Sequence, residues 1–89
     1  MVFGNKKIFK NLAGDMHIGN NAPEGFSETI IEDVSSRLNN LEGRKIWRCH
    51  VCNDIRIANE PLQTCPTCLQ QDAYVEINMQ EIKSLLEIK

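Results

Sequence analysis

Two Cys-x-x-Cys pairs, Cys49-His50-Val51-Cys52 and Cys65-Pro66-Thr67-Cys68, separated by the twelve residues Asn53–Thr64, constrain this chain more than any other feature. A Cys-x-x-Cys turn brings two thiols to one side of the backbone. Two such turns facing each other close a tetrahedron of sulfurs, a shell that zinc or iron fits at about 2.3 Å per metal–sulfur bond.

Other uses of four cysteines fit less well. Two disulfides would need an oxidising compartment, and no N-terminal stretch joins a basic start, an apolar run and a small-residue cleavage site. A redox Cys-x-x-Cys wants a βαβ setting for which the chain has no room. A 2Fe–2S or 4Fe–4S cluster also takes four thiolates, but often at other spacings. The spacing favours a mononuclear site with Cys49, Cys52, Cys65 and Cys68 as its ligands. Such a shell leaves no open coordination position, and no nucleophile–base constellation is visible, so an enzyme is not expected.

Length sharpens the expectation that metal and folding are linked. Eighty-nine residues make one domain, or a small domain with an arm. A chain this short buries a modest core and commonly draws on metals or disulfides for part of its folding energy. The net charge of −2 gives no general attraction to nucleic acid or anionic membranes. Around the cysteines, Arg44, Lys45, Arg48 and Arg56 are offset by Asp54, Glu60, Asp72 and Glu76, a poor phosphate-binding face. No apolar run approaches the ~18 residues of a membrane span. A cytoplasmic protein with no small-molecule substrate is the expectation.

The pattern predicts a small α+β domain: a pair of cysteine knuckles on a short antiparallel sheet, flanked by two helices. Residues 1–22 form an N-terminal arm, interrupted by Gly4, Gly14 and Gly19 and left open between a short helical turn and an unstructured segment. Residues 23–43 read as an amphipathic helix. Phe26, Ile30, Val34 and Leu38 repeat every fourth position, Asn21 with Glu24 or Ser27 serves as the cap, and Asn39, Asn40 and Gly43 supply the stop. Residues 44–77 form the metal domain, with strand-like pieces at 45–48, 54–58 and 73–77. Residues 78–89 form a C-terminal helix started by the capping pair Asn78 and Glu81.

The string from Trp47 to Glu76 resembles the C-terminal rubredoxin-like domain of rubrerythrins. Trp47, Cys49, Cys52, Pro61, Cys65, Pro66, Cys68, Ala73 and Tyr74 fall on that family's pattern, and the spacer length agrees. The stretch covers roughly a third of the chain. It departs at Asn53, where the family usually has glycine, and in lacking a spacer glycine around Ile57–Asn59. It also lacks any Glu-x-x-His pair, so the four-helix di-iron domain and its peroxide chemistry do not carry over.

The resemblance implies one iron in the four-cysteine cage, exchanging single electrons with a larger redox enzyme. The loss of glycine at 53 and the helical additions suit the alternative, one zinc stapling a module that docks within a larger protein complex. Of the remaining candidates, His50 reads as a surface residue and His17 as an exposed loop histidine. Trp47 and Tyr74 read as packing that shields the metal.

Overall fold

The structure is a computed structural model and describes residues 6–86. Six strands make one antiparallel sheet: β1 (Lys7–Lys10), β2 (Met16–Gly19), β3 (Ser27–Thr29), β4 (Lys45–Cys49), β5 (Ile55–Ala58) and β6 (Tyr74–Ile77), in the spatial order β3-β1-β2-β5-β4-β6. Two helices, α1 (Ile31–Asn39) and α2 (Met79–Leu86), complete it. No helix among the described residues is long and apolar enough to cross a membrane.

Alternation along each strand divides the sheet into two unlike faces, because cross-strand partners project to the same side. Met16 pairs with Ile57, Ile57 with Ile46 and Ile46 with Ile77, and Ile18 pairs with Ile55. These residues, with Val34 and Leu38 of α1 and Ile82 of α2, form the main hydrophobic core. The opposite face carries Phe9, His17, Arg56, Trp47, Cys49 and Tyr74, by the same register. Helices therefore cover one side, and a cysteine-lined cluster occupies the other.

The N-terminal segment is part of the sheet. β1 and β2 form a hairpin whose turn is closed by Gly14 N–H on Asn11 O and by Asp15 N–H on the Asn11 side chain. Gly14 is not an interruption: it has φ +94 in that turn, a region glycine enters without a Cβ penalty. The expectation for residues 1–5 lies outside the described residues.

The helix expected over 23–43 is corrected to Ile31–Asn39. Pro23 and Phe26 close a turn through Phe26 N–H on Pro23 O, with Gly25 at φ +84. Ser27–Thr29 then pairs with β1. Those backbone bonds satisfy groups that a helix beginning at 23 would have to satisfy internally. The four-residue stripe consequently splits between faces. Val34 and Leu38 enter the core, Ile30 is exposed, and Phe26 lies on the other side with the Arg56 guanidinium 6.0 Å from its ring centre. Neither Asn21 nor Ser27 caps the helix. Asp33 N–H bonds to Ile30 O, and the Asp33 carboxylate in the first turn accepts from Thr29 Oγ1 and Lys10 Nζ, placing negative charge where the helix dipole favours it.

The second helix, expected over 78–89, runs Met79–Leu86, and residues 87–89 lie outside the described residues. Asn78 Oδ1 accepts from Glu81 N–H at 2.7 Å at its start, the bond a capping residue makes.

Two substitutions separate this arrangement from a long 23–43 helix. Ile57→Ala, at a fully buried position, is expected to cost about 2–5 kcal/mol in urea unfolding. Ile31→Ala, at a position 41% exposed, is expected to stay within about 0.5 kcal/mol. Comparable losses at the two positions would contradict the corrected helix.

Candidate metal centre

Each cysteine turn is built on the same backbone plan. In the first, Asn53 N–H bonds to Cys49 O and Cys49 N–H to Asp54 O. In the second, Leu69 N–H bonds to Cys65 O and Cys65 N–H to Gln70 O. Both plans need a left-handed residue directly after the second cysteine, and Asn53 (φ +67) and Leu69 (φ +63) take that place. Asparagine tolerates the region well, whereas leucine enters it against a Cβ–carbonyl clash of about 1–2 kcal/mol. The first turn joins β4 to β5, and the second lies in the 59–73 connection between β5 and β6.

The two turns face each other across the cysteine-bearing side of the sheet. All four Sγ atoms lie within 4.8 Å of one another. Two contacts run between turns: Cys49–Cys68 at 3.6 Å and Cys52–Cys65 at 3.4 Å. Four sulfurs around an ion at about 2.3 Å would stand about 3.8 Å apart, so the cluster fits a tetrahedral ion after small adjustment. All four are free thiols rather than disulfides. The four cysteines singled out by their spacing are thus brought together within metal-binding distance, and the donor set suits iron and zinc alike.

Burial and backbone amides act on the thiols in opposite directions. Burial pushes the Cys52 and Cys65 thiols up from the usual range, more than the backbone amides around them can offset, and at Cys52 the neighbouring thiols and the Asp54 carboxylate push the same way. At Cys49 burial also pushes up, but the Cys52 and Val51 amides, with the neighbouring thiols, outweigh it and hold the group below its usual value. A cation at the centre would favour the thiolate at every position, so binding would release protons and weaken in acid.

Residues around the sulfurs complete the site. Cys49 and Cys65 are fully buried, while Cys52 and Cys68 are half-buried at the rim. Tyr74, paired with Cys49 across the β4–β6 ladder, is buried with its hydroxyl unpaired among the described residues, and burial, with Cys65 nearby, pushes its phenol up. Trp47 packs against the cluster and donates its indole N–H to Ala58 O at 3.1 Å. His50 is exposed.

His17 corrects the sequence expectation of an exposed loop residue. It lies within β2, fully buried, with Nε2 3.2 Å from Oδ2 of Asp54. Asp54 is also fully buried and receives Lys6 Nζ at 2.6 Å and the Thr67 hydroxyl. Burial pushes its carboxyl up, but the bonds from His17, Lys6 and Thr67 outweigh that and hold it at about 2. Gly19 stands beside this carboxylate, and a Cβ there would collide with it. Sequence reasoning misses His17, Lys6, Thr67, Gly19 and Asp54 as a group. Their partners lie as many as 48 positions apart, and no local pattern marks them.

Leu69→Gly is expected to raise stability by about 0.5–1 kcal/mol, since relief of the left-handed strain exceeds the entropy glycine adds to the unfolded chain. A fall in the thermal midpoint of the metal-loaded protein would contradict the strain at Leu69. No family model matches the chain, and neither the curated proteins nor the solved structures contain a match.

Proposed function

We propose that this chain is a small mononuclear metalloprotein in which Cys49, Cys52, Cys65 and Cys68 hold one iron for single-electron exchange with a larger redox partner. The observation that carries the ligand assignment is the convergence of four sulfurs within 4.8 Å from two separate turns. What supports electron exchange is the placement of the sulfurs. Cys49 and Cys65 are sealed against the sheet, and Cys52 and Cys68 stand at the rim. Val51 and Leu69, each next in sequence to a rim cysteine, are 53% and 72% exposed and give that rim an apolar character suited to docking. The likeness of residues 47–76 to rubrerythrin's rubredoxin-like domain points the same way. A closed four-thiolate shell offers no position for substrate, so the role is that of a carrier rather than an enzyme.

A second reading, one zinc stapling an interaction module of a larger complex, draws on the 59–73 connection. Its only ladder contact among the described residues is the single bridge Thr64–Gln71. A redox-silent ion would hold such a segment in place.

Elemental analysis and a visible spectrum on protein purified from its own organism without air decide between these readings. Iron near one per chain, with thiolate-to-iron charge-transfer bands that bleach on reduction, is the expected result. A colourless protein with zinc near one per chain would replace it with the second reading, and substoichiometric metal of every kind would contradict both. Cys52→Ser should lower metal occupancy and loosen residues 49–72. Full occupancy with an unchanged thermal midpoint would contradict the four-thiolate assignment.

A further inference from the structure

We propose that Asp54 is a positioning residue of the metal centre. Its carboxylate sets the spacing of the two cysteine turns, and His17 and Lys6 hold the carboxylate for that task. The inference rests on the four-thiolate reading and assigns work to residues outside the ligand set.

Asp54 belongs to the first turn through its backbone, because its carbonyl accepts from Cys49 N–H at 2.8 Å. Its side chain reaches the second turn, where Oδ2 accepts from the Thr67 hydroxyl and lies 3.8 Å from Cys65 Sγ. Apart from the sulfurs, these are the only side-chain hydrogen bonds between the two turns among the described residues. The carboxylate is therefore a strut beside the ion, fixed to the backbone of one turn and to a side chain of the other.

A fully buried carboxylate costs several kcal/mol unless its lone pairs are matched. Here the match comes from the far end of the chain. Lys6 Nζ reaches Oδ1, His17 Nε2 reaches Oδ2, and the absence of a Cβ at Gly19 leaves room for the group. Ordinary core packing would not require this. Replacing buried charge with apolar side chains of similar volume is often neutral or stabilising. The charge is instead placed at the junction of the turns, as partners that orient metal ligands commonly are. Lys6 also sets a positive charge against the carboxylate that faces Cys65, limiting repulsion between that carboxylate and a thiolate.

The test uses the full chain loaded with cobalt(II) without air, since cobalt in a four-thiolate shell shows thiolate charge-transfer and ligand-field bands. Affinity is read by competition with a chromophoric chelator. Thr67→Val and Asp54→Ala are each expected to weaken cobalt binding about 10- to 100-fold and to shift the ligand-field bands at saturating cobalt. Thr67→Ser, which keeps the hydroxyl, is expected to restore both. Val34→Ala, in the core beneath α1, is the control: it lowers stability and leaves the saturated spectrum unchanged. If Asp54→Ala fails to fold, the Thr67 pair still decides. Wild-type spectra in Thr67→Val and in any folded Asp54→Ala, with no greater loss of affinity than Val34→Ala shows, would overturn the positioning role. A wild-type protein that takes up cobalt without thiolate bands would overturn the four-thiolate reading itself, and this inference with it.

Discussion

Four sulfurs within 4.8 Å of one another cannot all be thiolates unless a cation sits among them. That constraint governs the whole cysteine-bearing side of the sheet. Burial, joined at Cys52 by the neighbouring thiols and the Asp54 carboxylate, pushes Cys52 and Cys65 towards the neutral thiol, so the turns converge on a point where like charge is unfavourable and a positive ion is strongly favoured. The backbone amides of the two turns and the Asp54 strut then decide how well the sulfurs are placed around that ion. The 59–73 connection, with little ladder pairing of its own, depends on the outcome.

The other side of the sheet follows different physics. Met16, Ile18, Ile46, Ile55, Ile57 and Ile77 meet Val34, Leu38 and Ile82 in an apolar core that needs no ion. The two sides are nonetheless tied by register. β2 sends Met16 and Ile18 to the helices and His17 to Asp54, and β5 sends Ile55 and Ile57 one way and Arg56 the other. A slip of one residue would exchange the faces of a strand. It would bury His17 among isoleucines and remove one of the three partners of the Asp54 carboxylate. Core packing thus fixes the frame in which the metal turns are aligned.

What local chemistry dictates in this molecule is legible in its sequence. The cysteine spacing picks out the four residues that converge, the β-prone pieces flanking them lie where β4, β5 and β6 run, and Asn53 sits in the left-handed position its side chain tolerates. The features that local pattern misreads share one cause, pairing between distant segments. Phe26, Ile30, Val34 and Leu38 have a helical period, yet β1 recruits Ser27–Thr29 as an edge strand and so delays the helix to Ile31. Gly19 resembles a breaker because the group that fills the space of its missing side chain, the Asp54 carboxylate, is 35 positions away in sequence. His17 resembles a loop residue for the same reason. The side chains of Lys6 and Thr67 carry no local signal, since each reaches the site through Asp54.

X-ray absorption at the metal edge of the natively loaded protein tests the central claim most directly, because it counts the donor atoms around the ion. The account predicts four sulfur neighbours at about 2.3 Å and no nitrogen or oxygen in the inner shell. A shell containing imidazole nitrogen or carboxylate oxygen, or fewer than four sulfurs, would contradict it.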